Sequence, residues 1–303
     1  MKIIKYHKLF LFISAALVLV GIVAIGVFGL NKGIDFAGGT LWQLRFGGSQ
    51  PTTDVVKNFF IQNIKAKDPS VFQNTSDNSV MVKFGNISEG EHQQFLSALK
   101  EKFGNVEELR FDVIGPAIGK DLEQKAILAI VFVILGISLY VTYAFRKVSY
   151  PVKSWKYGVI TLVTLFHDVI IPLGLFAILG HYLGTEIDIN FVVAVLVVMG
   201  FSVHDTIVVF DRIRENLLLN RQTLDRSGLA NVIGRSIDQT IARSINTSLT
   251  LILVLLAMLF LGPSSLQYFI LAILVGVTVG TYSSIFVASP ALLMTSRVQK
   301  SSR

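Results

Sequence analysis

The chain holds 303 residues, 52% hydrophobic and 16% charged, with a mean hydropathy of +0.62, against roughly 25% charged in an ordinary soluble domain. That composition argues against a water-soluble globule, and with no cysteine there are no disulfides, thiolate metal sites or lipidated cysteines. The formal charge of +7 has two readings, nucleic-acid binding or membrane orientation, and the positions of the basic residues decide between them.

The first apolar run, Leu9 to Leu30, carries no charge and is longer than a signal-peptide core. No small-x-small cleavage site precedes Asn31 and Lys32, so a retained transmembrane helix is expected. Residues 31–125 then break the pattern into short units. Thr40 to Phe46 alternates as a strand and stops at Gly47-Gly48, Asp54 to Lys65 has helical spacing, and Val80 to Phe84 alternates again. Ser88-Glu89-Gly90-Glu91 is a capping box that opens a helix to about Phe103, and Val106 to Ile114 reads as a third strand. The expectation is a β-α-β-α-β domain, ferredoxin-like, with both helices on one face of the sheet. No metal cluster or catalytic constellation is visible in it. Glycine-rich junctions flank it, with Gly33, Gly38 and Gly39 before and Gly115 after; they are either turns needing positive φ or hinges.

Five further apolar runs follow at about Ala126–Phe145, Tyr157–Gly180, Ile189–Phe210, Ile237–Gly262 and Leu266–Met294. The basic residues sort by loop. Lys2, Lys5 and Lys8 precede the first span, Arg146, Lys147, Lys153 and Lys156 join the second and third, and Arg212, Arg214, Arg221, Arg226 and Arg235 join the fourth and fifth. Arg297, Lys300 and Arg303 end the chain, whereas the short loops His181–Asp188 and Pro263–Gln267 contain neither Lys nor Arg. The positive-inside rule therefore places both termini, including a tail over residues 295–303, in the cytoplasm and residues 31–125 outside it. The charge is a topology signal with affinity for anionic lipid headgroups, which removes the nucleic-acid reading.

Charges inside the spans cost about 2.5–3.5 kcal/mol each on insertion scales and mark function. Asp168 sits near the middle of the third span beside His167, with Pro172 unable to donate to its carbonyl. Asp205 lies near the cytoplasmic end of the fourth span, with Ser202 close to its face and His204 turned away by about 100°. The fifth span carries Ser236, Gln239, Thr240, Arg243, Asn246, Thr247 and Thr250 at helical spacing on one face. Asp205 and Arg243 then form either a permanently ionised pair or a proton site whose titration follows opening and closing of that pair, or Arg243 snorkels to the boundary. In the sixth span Gly276, Gly280, Ser284 and Ala288 make a small-residue face suited to close helix packing.

With these residues in view, the chain resembles the SecF family of bacterial protein-export membrane proteins, within the resistance-nodulation-division superfamily. The resemblance rests on Gly33-Ile34-Asp35-Phe36 with Gly38-Gly39-Thr40, on Val113-Ile114-Gly115-Pro116 through Asp121-Leu122, and on His167-Asp168-Val169. It rests further on Asp205 through Asn216 and on Gln239-Thr240 with Arg243-Ser244-Ile245-Asn246-Thr247-Ser248. It implies a six-helix half of a pseudosymmetric pair with SecD in the bacterial inner membrane, beside the SecYEG channel, with YajC a further partner. Such a protein is not an enzyme and holds no cofactor; it uses the proton gradient to draw preproteins through the channel. The family pattern makes Asp205 and Arg243 the proton-path residues and Asp168 a further candidate. His204 stands where the family usually has Asn, and Asp121 where Glu is usual. Two other classes remain as alternatives: a stand-alone proton-driven exporter of small molecules or lipids, and an intramembrane aspartyl protease using Asp168 and Asp205 as a dyad.

Overall fold

The computed structural model describes residues 2–48, 50–64, 66, 69–74, 78–146, 152–219 and 226–295. Lys65, Lys147, Arg221, Arg297, Lys300 and Arg303 lie outside that set. After a short turn at Lys2–Lys5, helix α1 runs over His7–Phe28 and ends at Gly29, whose φ of 70° suits a residue without Cβ. A one-turn helix, Ile34–Ala37, leads into the α+β unit: β1 Gly39–Phe46, α2 Thr53–Asn63, β2 Ser70–Asn74, β3 Ser79–Phe84, α3 Glu89–Phe103 and β4 Val106–Ile114. Helices α4 Pro116–Ala144, α5 Ser154–Leu183, α6 Ile189–Leu219 and α7 Arg226–Leu261 follow. The last span is α8 Gln267–Ser283, a π turn Ser284–Ala288, and α9 Ser289–Thr295.

Among the described residues the sheet has four antiparallel strands in the order β2-β3-β1-β4, where three were expected. The expected connectivity is corrected to β-α-β-β-α-β, with β3 inserted between β1 and β2. Strand β2 is absent from the hydropathy pattern because Ser70, Gln73 and Asn74 surround only Val71 and Phe72, and Phe72 is exposed at the sheet edge. Alternation fixes the buried face: Trp42 pairs with Val82 and Leu44 with Val80, all fully buried. Phe59 and Phe60 of α2 and Leu99 of α3 complete that same core, so both helices cover one face. The capping box forms as read, with Ser88 N–H donating to Glu91 Oε2 at 2.7 Å and Glu91 N–H donating to Ser88 Oγ at 3.4 Å.

Among the described residues, six helices are long and apolar enough to cross a membrane. Half or more of the apolar window is buried in α5, α6 and the last span, against 17% or less in α1, α4 and α7. The three former helices are the centre of the bundle, and the outer three present apolar side chains such as Phe12, Phe132 and Leu253 to the surroundings. Close approach at the centre depends on small residues. A Cβ on Gly174 of α5 would lie 2.3 Å from the Cα of Gly21 in α1, and one on Gly276 of α8 would lie 2.4 Å from Val198 in α6.

The helices outrun their apolar cores. Helix α4 starts at Pro116, ten residues before the apolar run, because Gly115-Pro116 supplies a Pro at N1 and Asp121–Lys125 makes an i,i+4 pair. Helix α6 continues past Phe210 to Leu219 through charged turns tied by the i,i+3 pairs Arg212–Glu215 and Arg214–Asp211.

Candidate functional site

The α+β unit is braced to the bundle rather than hung from open glycine links. Lys32 forms a parallel bridge with Ile187, Gly33 N–H donates to Ile187 O at 2.9 Å, and Asp35 Oδ2 accepts the N–H of Ile189 at 2.9 Å, where α6 begins. Lys83 of β3 reaches Glu186 in the α5–α6 loop at 2.5 Å. Gly38 and Gly39 have φ of 74° and 139°, so these two need glycine for conformation. Gly33 and Gly115 have ordinary φ of −68° and −64°; both are N-caps, of the Ile34–Ala37 turn and of α4.

The central site is built from α5, α6 and α8. Helix α5 passes through Pro172 without ending and holds Asp168 fully buried. The lost N–H at Pro172 and the carboxylate share one level of the helix. Asp168 Oδ2 accepts Ser202 Oγ of α6 at 2.5 Å and Ser283 Oγ of α8 at 2.9 Å, and Oδ1 lies 2.8 Å from His167 Nδ1. Three polar partners satisfy a group that would otherwise be costly in hydrocarbon. Ser202 thus serves Asp168 across the helix interface, while Gly280 lets α8 close on it: a Cβ there would sit 2.9 Å from the Cβ of Ser202.

One turn further along α6, Asp205 is 5% exposed and accepts a hydrogen bond from Ser284 Oγ. The two aspartates are therefore held by consecutive serines of one helix, at the point where it changes from α to π winding. His167 Nε2 and Thr206 Oγ1 are buried and have no hydrogen-bond partner among the described residues.

Arg243 is exposed and makes no ion pair with Asp205. It lines a cleft of about 290 Å³ between α6 and α7 that begins at Val208, one turn beyond Asp205. Asp211, Arg212 and Glu215 form the α6 wall, and Gln239 and Thr240 stand with Arg243 on the other. Gln239 Oε1 accepts Arg212 Nε at 2.7 Å and Asn216 Nδ2 at 2.9 Å. The expected polar stripe on α7 divides by register: Ser236 and Thr240 are buried with Ser244 and Ser248 at steps of four, whereas Gln239, Arg243, Asn246 and Thr247 are exposed. His204 is exposed and takes no part in the buried network.

Ser283 carried no signal in the sequence beyond being a hydroxyl in an apolar run, and Ser284 was visible only as a small residue of the packing face. Adjacent serines facing two buried acids on two other helices emerge only from the packing of α8.

The family description "Protein export membrane protein SecD/SecF, C-terminal" matches residues 94–298, and "SecD/SecF GG Motif" matches residues 23–49. A protein translocase subunit SecF from Thermobaculum terrenum is 40% identical over 96% of this chain and 92% of its own length. Another from Anaerolinea thermophila is 37% identical over 97% and 94%. Among solved structures, SecDF from Thermus thermophilus, described as a translocon-associated membrane protein, superposes with a TM-score of 0.80 at 34% identity, covering 97% of this chain. This chain spans 38% of that longer one, and the same holds for SecDF in a super-membrane-facing form, with a TM-score of 0.64. Family models that together cover most of the chain, relatives 37% and 40% identical over nearly their full length and a superposing solved structure agree: this is a bacterial membrane protein of the protein-export machinery, and the chain belongs to the SecF family.

Proposed function

We propose that this chain works with a SecD partner beside the SecYEG channel and couples proton entry to export of preproteins. Its ferredoxin-like domain then lies outside the cytoplasm and both termini lie inside. The buried Asp168 and Asp205, the latter one turn from a polar cleft carrying Arg243, are the observation that supports proton use. Membrane interiors hold carboxylates where their charge state is used. Protonation of Asp205 alters its bond to Ser284, the packing of α6 against α8 shifts, and the α6–α5 loop carries that shift to the domain through Glu186 and Ile189.

Support for the partnership comes from the likeness to SecDF, whose chain includes a segment equivalent to this one, and from the exposed side of α7. Arg243, Asn246 and Thr247 are exposed polar side chains on a membrane helix among the described residues, and a second six-helix subunit would cover them. The test is export into vesicles holding this chain, SecD and the channel, with and without an imposed proton gradient. Asp205→Asn is expected to abolish the stimulation by the gradient while the chain still co-purifies with SecD. Undiminished stimulation in that variant would contradict the proposal.

A further inference from the structure

Ser283 and Ser284 are both fully buried, and each hydroxyl has two acceptors within reach. Ser283 Oγ lies 3.0 Å from the carbonyl of Gly280 on its own helix and 2.9 Å from Asp168 Oδ2 on α5. Ser284 Oγ lies 2.9 Å from the carbonyl of Thr281 and also bonds Asp205 Oδ2 on α6. A hydroxyl has one proton to donate and lone pairs to accept with. It gives that proton to a neighbouring carboxylate. Facing a carboxylic acid, it can accept the acid's proton and turn its own toward the backbone. Both choices at both serines are available without moving a heavy atom.

The step sits where the backbone changes from α to π winding. The π turn begins at Ser284, and Ser289 Oγ accounts for the Ser284 carbonyl at 3.2 Å, five residues on. The titratable side chains in contact with the step among the described residues are Asp168 on α5 and Asp205 on α6. His167 borders Asp168, and Tyr282 on α8 stacks on His167 with ring centres 6.5 Å apart. Helix α7 contributes a hydroxyl, Ser248, bonded to Thr281 at 2.6 Å, and α1 contributes Ser14, 3.4 Å from the Tyr282 hydroxyl.

We infer that the Ser283–Ser284 step is a positioning element that couples the protonation of Asp168 to that of Asp205. It deepens the proton-path reading above and rests on it for the purpose of the coupling. Neutralising one acid turns its serine's hydroxyl proton from that acid to the carbonyl one turn back, and the changed hydrogen bonding of that shared turn alters the bond the adjacent serine offers the other acid.

The test is infrared titration of the Asp168 carboxyl in the full chain in lipid vesicles, with the band assigned by its loss in Asp168→Asn. In the otherwise native chain Asp205→Asn is expected to displace the Asp168 midpoint by about one pH unit, the scale of one hydrogen bond to a charged group. With Ser283→Ala and Ser284→Ala also present, the displacement falls below about half of that. Ser284→Ala alone, which removes the hydroxyl on Asp205 and leaves Ser283 on Asp168, gives the same reading should the double variant not fold. Thr278→Ala, whose hydroxyl bonds only the Leu274 carbonyl of its own helix, leaves the displacement intact. A displacement that survives serine removal at half its size or more would show direct coulombic coupling and overturn the inference, as would an Asp168 midpoint that Asp205→Asn does not move. The titration needs no export machinery, so it can fail while gradient-driven export holds, or hold while export fails.

Discussion

Asp168 is fully buried, and its hydrogen bonds decide how the bundle centre responds to substitution. Ser202 gives Oδ2 a donor at 2.5 Å, and leaving a buried acceptor short of its donor costs about 1–3 kcal/mol. Ser202→Ala is therefore expected to destabilise the protein by an amount in that range, read as a lowered unfolding temperature in detergent. His204→Asn, on the exposed side of the same helix, should change stability by less than about 0.5 kcal/mol. In the α+β unit, the backbone N–H of Ser88 and then its hydroxyl hold the Glu91 carboxyl below its ordinary value of 4.5. A lowered value in the folded state stabilises the fold above pH 4.5, and that contribution is lost as pH falls through the folded value. Ser88→Ala should speed amide exchange in α3 at neutral pH, and the difference from the native chain should close on acidification below pH 4.5.

Among the elements, α1 and α5 meet through Gly21 and Gly174, where backbone faces backbone. Gly174→Ala puts a Cβ 2.3 Å from Gly21 Cα, and overpacking of that kind costs about 1–3 kcal/mol. Gly26→Ala on the same α1, with nothing within 4 Å of its Cβ, is the matched control and should be stabilising or neutral by thermal unfolding. Long apolar runs, three of them carrying internal charge, announced the six spans directly, since length and hydropathy are properties of the local sequence. Strand β2 left no such trace because an edge strand with one exposed face needs only Val71 to be buried against its neighbour. The register of α7 was half legible: the polar residues were there at helical spacing, but which of two adjacent faces turns inward depends on Ser236, Thr240, Ser244 and Ser248 fitting against the bundle. The π turn at Ser284 has no composition of its own. It is set by tertiary contacts, and so were the serine bonds to the two acids.

At the scale of the molecule, the domain and the bundle share a short stretch, residues 183–189, that receives Lys32, Gly33, Asp35 and Lys83. Motion of α6 thus has a direct route to the sheet. The chain has no cysteine, so Lys83→Cys with Glu186→Cys introduces one defined thiol pair. Joining it with a short bifunctional thiol reagent should suppress gradient-dependent export, and the unjoined double variant should retain most of it, because a partly exposed ion pair contributes only about 0–1 kcal/mol. Among the described residues, six apolar helices and one α+β unit match 38% of SecDF over 97% of this chain. We propose that protons pass by way of Asp205, and the measurement closest to that step is proton flux into vesicles containing this chain and SecD under an imposed pH gradient. The native pair is expected to conduct and the Asp205→Asn pair to fall to the level of protein-free vesicles; equal flux through both would contradict the account.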